Sequence, residues 1–215
     1  MGYTQSSPYF SMENNVKIIG ITGGIGSGKS TISKFIEERG FIVINSDSKA
    51  KSLYLENQDL KSELIKEFGE QFYLPDGNIN KSFIENIIFG EDDESKIKLN
   101  KLNRLVHPLV IQSNIDEIDQ LVEDGEKTIF VESALIFEIG MEDAYDYIIS
   151  VYANPEIALK RAISRTGATK EQIEKRIKSQ LSPEEKKKKA DFVINNNGTL
   201  EELKKATNFI IDLIE

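Results

Sequence analysis

The sequence predicts an α/β protein in which a five-stranded parallel sheet lies between layers of helix, with a helical insert interrupting it. Three observations carry this expectation. Five short apolar runs, at residues 16–22, 41–44, 128–131, 147–152 and 192–194, lack polar alternation, as strands buried on both faces do. Helix-period patterns separate the runs, which calls for parallel pairing. The first run leads into a glycine-rich loop and then a helix. There Gly23, Gly28, Lys29 and Ser30 fit G-x-x-x-x-G-K-[ST], the phosphate-binding pattern of nucleoside triphosphatases.

That loop has a physical rationale. Gly24, Gly26 and Gly28, with Ile25 and Ser27 between them, let successive backbone N–H groups curl around a phosphate without Cβ clashes. The helix that starts at Lys29, Ser30 and Thr31 adds unpaired N–H groups and the positive end of its dipole. Lys29 contributes a point charge for the β- and γ-phosphates, and the Ser30 hydroxyl is placed to reach Mg²⁺.

The remaining elements follow in order. Residues 29–39 read as the first helix, stopped by Gly40. The second strand ends in Asn45-Ser46-Asp47, which puts Asp47 at a strand's carboxyl end, where open α/β sheets bind ligands. From 48 to 125 the pattern is mostly helical. Leu60, Leu64, Ile65 and Phe68 share one face, and Phe83, Ile87 and Ile88 another. Leu74-Pro75-Asp76-Gly77 signals a turn. Glu91 to Glu94 reads as a solvated loop or helix start. His107-Pro108 predicts a helix boundary, because the residue before proline avoids the α region. A long helix is expected over 108–123. After the third strand come Glu132 to Glu138, again on the ligand rim. Asn154-Pro155 is a cap followed by proline at the first helical position. Thr169 with Gln172, Ser182 with Glu185 and Thr199 with Glu202 are capping-box spacings. No internal repeat is evident.

These boundaries give a core of 16–47 and 126–215, a basic segment at about 160–190 that reads as a lid, and a helical insert over 48–125 that covers a substrate. Residues 1–15 are expected to form a disordered extension. They lack a signal-peptide core. Gly2 and Ser6 match the myristoylation pattern, but no polybasic run follows. The 215 residues include no cysteine, which removes disulfide and thiol chemistry and fits a reducing, cytoplasmic compartment. The net charge of −9 argues against a broad nucleic-acid surface. No apolar run approaches the roughly 18 residues of a membrane span. The single histidine, His107, cannot build a metal cluster and reads as a boundary residue.

Among chemical candidates, Asp47 is placed either to accept a proton from an attacking hydroxyl or to cap the next helix. Arg161 and Arg165 share a helical face, and Arg176 follows on the next helix, so they are candidates to close over a nucleotide. Lys186 to Lys189 read as a solvated face. Glu132 is a candidate for the surroundings of Mg²⁺, and Glu138 for capping a turn. A guanine-reading Asn-Lys-x-Asp is missing, and no strand ends in a clear Walker B aspartate.

Together the motifs resemble the dephospho-coenzyme A kinase family over nearly the whole chain from residue 16. The family's Thr-Gly-Gly-Ile-Gly-Ser-Gly-Lys-Ser loop recurs here as Thr22 to Ser30. Its Asp-Ala-Asp is matched by Asn45-Ser46-Asp47, its Leu-His-Pro by Val106-His107-Pro108, and its Asp-Val-Pro-Leu-Leu-Phe-Glu by Glu132 to Glu138. Arg161 and Arg165 match the lid's Arg-x-x-x-Arg. The run from Ala190 to Gly198 matches Ala-Asp-x-Val-Ile-x-Asn-x-Gly. The resemblance implies a P-loop kinase that phosphorylates the 3′-hydroxyl of dephospho-coenzyme A with ATP and Mg²⁺. It further implies that Asp47 is the base or orienting carboxylate and that Lys29 and Arg161 stabilise the moving phosphoryl. Arg165, Asn196 and Gly198 would lie with ATP, the last two near adenine, and His107 with the acceptor. Asn45, Glu132 and Thr166 depart from the pattern. Two alternatives remain at this level: a P-loop kinase for another small acceptor, and a nucleotide-binding module without turnover. Neither oligomeric state nor donor preference is legible.

Overall fold

Apolar runs flanked by glycine and proline form strands because both of their faces are covered, and each expected strand lies within a residue or two of its expected place. The structure is a computed structural model describing residues 16–90 and 92–215. The readings made for residues 1–15 and for Glu91 lie outside the described residues. The strands are β1 (Lys17–Gly23), β2 (Ile42–Asn45), β3 (Thr128–Glu132), β4 (Tyr147–Tyr152) and β5 (Phe192–Asn195). They form one parallel sheet in the order β2-β3-β1-β4-β5. The strand order reverses around β1. The loop that follows β1 therefore opens at the switch point, where such sheets bind ligands.

The described residues divide into two compact units, one of 16–45 with Glu117–Glu215 and one of Ser46–Asp116. In the sheet unit, helix α1 (Lys29–Glu38) follows the loop. Helix α9 (Leu200–Ile214) ends the chain after a capping box between Thr199 and Glu202. Both cover one face of the sheet. Ile32, Phe35 and Ile36 of α1 and Leu203, Ile211 and Ile214 of α9 pack with Ile19, Ile21, Phe130, Ile149, Val151 and Ile194. On the other face Ile118 joins Ile18, Ile44, Ile129 and Val131.

In the second unit, α2 (Ser46–Glu56), α3 (Gln58–Phe68) and α4 (Lys81–Ile88) gather with the long helix α5 (Asp93–Glu123) around their own core of Leu60, Leu64, Phe72, Ile88, Leu102 and Val106. The turn expected at 74–77 is present, with the Gly77 N–H bonded to the Leu74 carbonyl at 2.9 Å.

One boundary is corrected. Helix α5 runs unbroken over Asp93–Glu123 with Pro108 inside it, so His107-Pro108 ends no helix. An interior proline removes one helical hydrogen bond and costs about 3 kcal/mol. Leu102 and Val106 are buried in the insert core with Leu99, Leu105 and Leu109 packed against it. At roughly 1.5–3 kcal/mol per buried side chain, that packing outweighs the local loss. The helix starts where Asp92 accepts bonds from both the N–H and the hydroxyl of Ser95, each at 2.8 Å.

Candidate active site

The loop is built so that side chains have no room. Gly23, Gly26 and Gly28 all have positive φ. A Cβ on Gly26 would stand 2.1 Å from the Ala158 carbonyl oxygen, and one on Gly23 would stand 2.4 Å from that of Val151. The backbone therefore approaches β4 and the helix after it more closely than any substituted residue would allow. Lys29, in the first turn of α1, directs its Nζ back to the Gly23 carbonyl at 2.8 Å and the Gly24 carbonyl at 3.4 Å. Ser30 is exposed beside it, and Thr31 half-buried. The Ser27 hydroxyl is buried with no hydrogen-bond partner, an orphaned polar atom inside a loop whose pattern implies phosphate.

Behind the loop stands Asn196, the residue after β5. Its side-chain amide donates to the Ser27 carbonyl at 2.7 Å, and its backbone carbonyl accepts from Arg161 Nη1 at 2.9 Å. Gly198 is exposed nearby in the chain, and Asn197 accepts from the Asn154 N–H through Oδ1 at 2.6 Å.

Helices α6 (Pro155–Thr166), α7 (Lys170–Lys178) and α8 (Pro183–Lys189) form the segment expected to be a lid. Asn154 caps α6 and Pro155 is its first residue, while Thr169–Gln172 and Ser182–Glu185 are complete capping boxes. Arg161 is half-buried, Arg165 is exposed in the last turn of α6, and Arg176 is half-buried on α7. Thr166 turns its hydroxyl onto the Ala162 carbonyl at 2.8 Å, inside its own helix.

The run Lys186 to Lys189 splits. Lys187, Lys188 and Lys189 are exposed, as a solvated face requires. Lys186 is fully buried, a correction to the reading of that face. Its Nζ pairs with Glu138 Oε1 at 2.7 Å and donates to the Ala134 carbonyl. Glu138 Oε1 also accepts from the Leu181 N–H at 2.9 Å, and its Oε2 is buried without a partner. Sequence periodicity had no means of choosing one lysine of four, because the partner is fixed only by the fold.

Two departures from the family pattern meet in space. Asn45 and Glu132 are register partners on β2 and β3. Glu132, only 4% exposed, accepts from Asn45 Nδ2 at 3.1 Å and from Ser33 Oγ at 2.7 Å, both at Oε2. An aspartate at 45 would set a second carboxylate beside a buried one, whereas the amide supplies a donor. Ser33 was not singled out from the sequence. Its place on α1, four residues past Lys29, is the feature that would have pointed to the rim.

Asp47 and His107 belong to the Ser46–Asp116 unit. Asp47 is exposed in the first turn of α2, directly after β2. That helix is fixed within its unit by Ser46, which accepts from Asn114 Nδ2 at 2.9 Å. His107 is half-buried on α5, and desolvation pushes its imidazole below its ordinary value of 6.5, favouring the neutral ring.

A phosphate-binding loop at the switch point of a five-stranded parallel sheet, followed by an arginine-bearing helical segment after β4, defines a P-loop kinase. Comparison with known proteins makes this narrower. The sequence model described as Dephospho-CoA kinase matches residues 17–202, and the chain belongs to that family. It is 39% identical over 189 residues to the dephospho-CoA kinase of Listeria innocua, covering 88% of this chain and 92% of the relative. It is 42% identical over 196 residues to that of Fusobacterium nucleatum, covering 91% and 97%. Its fold matches the crystal structure of a Thermus thermophilus protein with a TM-score of 0.76 at 30% identity, covering 93% of this chain and 98% of that one. ATP-dependent phosphorylation of dephospho-coenzyme A, the final step of coenzyme A biosynthesis, is the family's function, which makes this chain a kinase.

Proposed function

We propose that this chain transfers the γ-phosphoryl of ATP to the 3′-hydroxyl of dephospho-coenzyme A, with Asp47, Lys29 and Arg161 carrying the step. The observation that supports this best is the loop itself, where Gly26 packs so closely on the Ala158 carbonyl that no side chain fits and the backbone is left bare. Residues 24–31 hold the triphosphate through backbone N–H groups and the Lys29 ammonium. Arg165, Asn196 and Gly198 belong to the same donor side. The acceptor is held by Asp47, at the end of the core segment 16–47, and by His107 in the helical insert, read here as 48–125, while 126–215 completes the kinase core with the lid at about 160–190.

In the step, the 3′-oxygen forms a bond to the γ-phosphorus as the bond to the β–γ bridging oxygen breaks, giving coenzyme A and ADP. Asp47 takes the proton from the attacking hydroxyl. Charge spreading over the transferred group is met by Lys29 and Arg161, and positioning does most of the work in such transfers. Mg²⁺ arriving with ATP fits the exposed Ser30 hydroxyl, with the Glu132 carboxylate oriented nearby in the sheet by Ser33 and Asn45. Bound there, it would neutralise charge on the β- and γ-oxygens. The buried Ser27 hydroxyl supports an anionic ligand in the loop.

We place the enzyme in the cytoplasm, acting on soluble substrates and using neither nucleic acid nor membrane. Among the described residues no helix is long and apolar enough to cross a bilayer. The test is ADP release with dephospho-coenzyme A against a panel of nucleoside, nucleoside monophosphate and sugar-acid acceptors. Turnover with dephospho-coenzyme A alone is expected. Transfer to a nucleoside monophosphate and not to dephospho-coenzyme A, or tight ATP binding without turnover, would overturn the proposal.

A further inference from the structure

Asn196 makes three hydrogen bonds to three different elements. Its N–H donates to the Tyr152 carbonyl of β4 at 2.7 Å, its carbonyl accepts from Arg161 of α6, and its side-chain amide donates to the Ser27 carbonyl in the loop. The residue is 6% exposed, and a Cβ on Gly28 would lie 2.1 Å from its Nδ2. The amide is thus packed against the underside of the loop.

The Ser27 carbonyl and the Gly28 N–H belong to one peptide unit. In a planar trans peptide these two groups point in opposite directions. Holding the carbonyl down towards Asn196 therefore turns the Gly28 N–H to the opposite side, where a bound phosphate needs donors. Gly28, at φ 105°, has no Cβ to resist rotation of that peptide. If the unit turned over, a carbonyl oxygen would face the phosphate instead of a donor. We infer that Asn196 is a positioning residue for the triphosphate, acting through the Ser27–Gly28 peptide and not by reading the base. This rests on the proposed function only in taking the loop as the triphosphate site.

The test measures dissociation constants of ATP, GTP and inorganic tripolyphosphate by calorimetry for wild type, Asn196→Ala and Lys29→Ala. Loss of the brace is expected to weaken all three ligands by a common factor on the order of tenfold, the scale of one buried hydrogen bond. A loss confined to ATP would assign Asn196 to the base and overturn the inference, as would no loss at all. Hydrogen exchange of loop amides 24–28 without ligand gives a second readout. Asn196→Asp keeps the volume but faces the Ser27 carbonyl with an acceptor, so its loop exchanges at least as fast as that of Asn196→Ala. Wild-type-like exchange in the Asp variant would show that space filling alone matters. If Lys29→Ala binds all three ligands like wild type, the loop assignment itself fails, and the ligand-free exchange still decides the brace.

Discussion

Lys186→Met is expected to destabilise the protein by about 3–5 kcal/mol, although it replaces one residue in a run that looks interchangeable. Lys186 is fully buried, with its ammonium between Glu138 and the Ala134 carbonyl. Methionine fills a similar volume, so the loss is electrostatic. Glu138 would keep one donor, the Leu181 N–H, while its second oxygen is already buried without a partner. Breaking one side of a buried pair costs about 3–5 kcal/mol, because the remaining charge is uncompensated. Removing both charges is often close to neutral. Lys186→Met with Glu138→Leu should therefore recover most of the loss, leaving about 1–2 kcal/mol for the bonds to Ala134 and Leu181. At about 2–4 °C per kcal/mol for a chain of this size, the single variant should melt roughly 6–20 °C below wild type. Urea titration of the single and double variants measures the cycle. The reasoning is refuted if the single variant loses under 1 kcal/mol, or if the double is less stable than the single. Lys187→Met, at an exposed position, should change stability by no more than about 0.5 kcal/mol.

Further outcomes are expected at other sites. Asp47→Asn should lower kcat by about 10²-fold or more, in the range of general-base effects, with ATP affinity little changed; steady-state kinetics with wild-type-like kcat would remove Asp47 from the role of base. Asn45→Asp should lower Tm at neutral pH by placing a second carboxylate against buried Glu132, as thermal denaturation beside wild type would show. His107 is held below its ordinary value by burial, so between that depressed value and 6.5 the unfolded chain binds more protons than the folded one. Its contribution is therefore complete above pH 6.5 and is lost as pH falls through the folded value. Urea midpoints of His107→Gln should accordingly show a shallower decline than wild type between pH 7 and 5. Gly26→Ala should abolish triphosphate binding in calorimetry, since its Cβ would meet the Ala158 carbonyl at 2.1 Å.

Much of the architecture could be read locally. The strands were legible because a parallel sheet covered on both faces leaves an uninterrupted apolar run, as in Ile18 to Ile21 or Ile148 to Val151. The starts of α7, α8 and α9 were legible because capping boxes are satisfied within four residues. Pro108 misled because its cost is local, whereas the burial of Leu102 and Val106 that offsets it is tertiary. Lys186 was illegible for the same reason in another form. Nothing in Pro183 to Lys189 marks one lysine, and the partner at Glu138 lies in another element. Asn45 and Glu132 were visible as separate departures, and only the β2–β3 register makes them one hydrogen-bonded pair.

The sheet order has a consequence for synthesis. Strand β1 is the central strand and its neighbours are β3 and β4, both made long after it. At roughly 5–20 residues per second, about 5–20 seconds separate the emergence of β1 from that of β3. Throughout that interval the central strand has two open edges, and by its end Ser46–Asp116 holds every residue of its own core. The insert can therefore fold first, and the phosphate loop takes shape only when β4 has left the ribosome. A nascent chain arrested before residue 147 should carry a folded helical unit behind an unprotected strand, a natural substrate for chaperones that bind extended apolar segments.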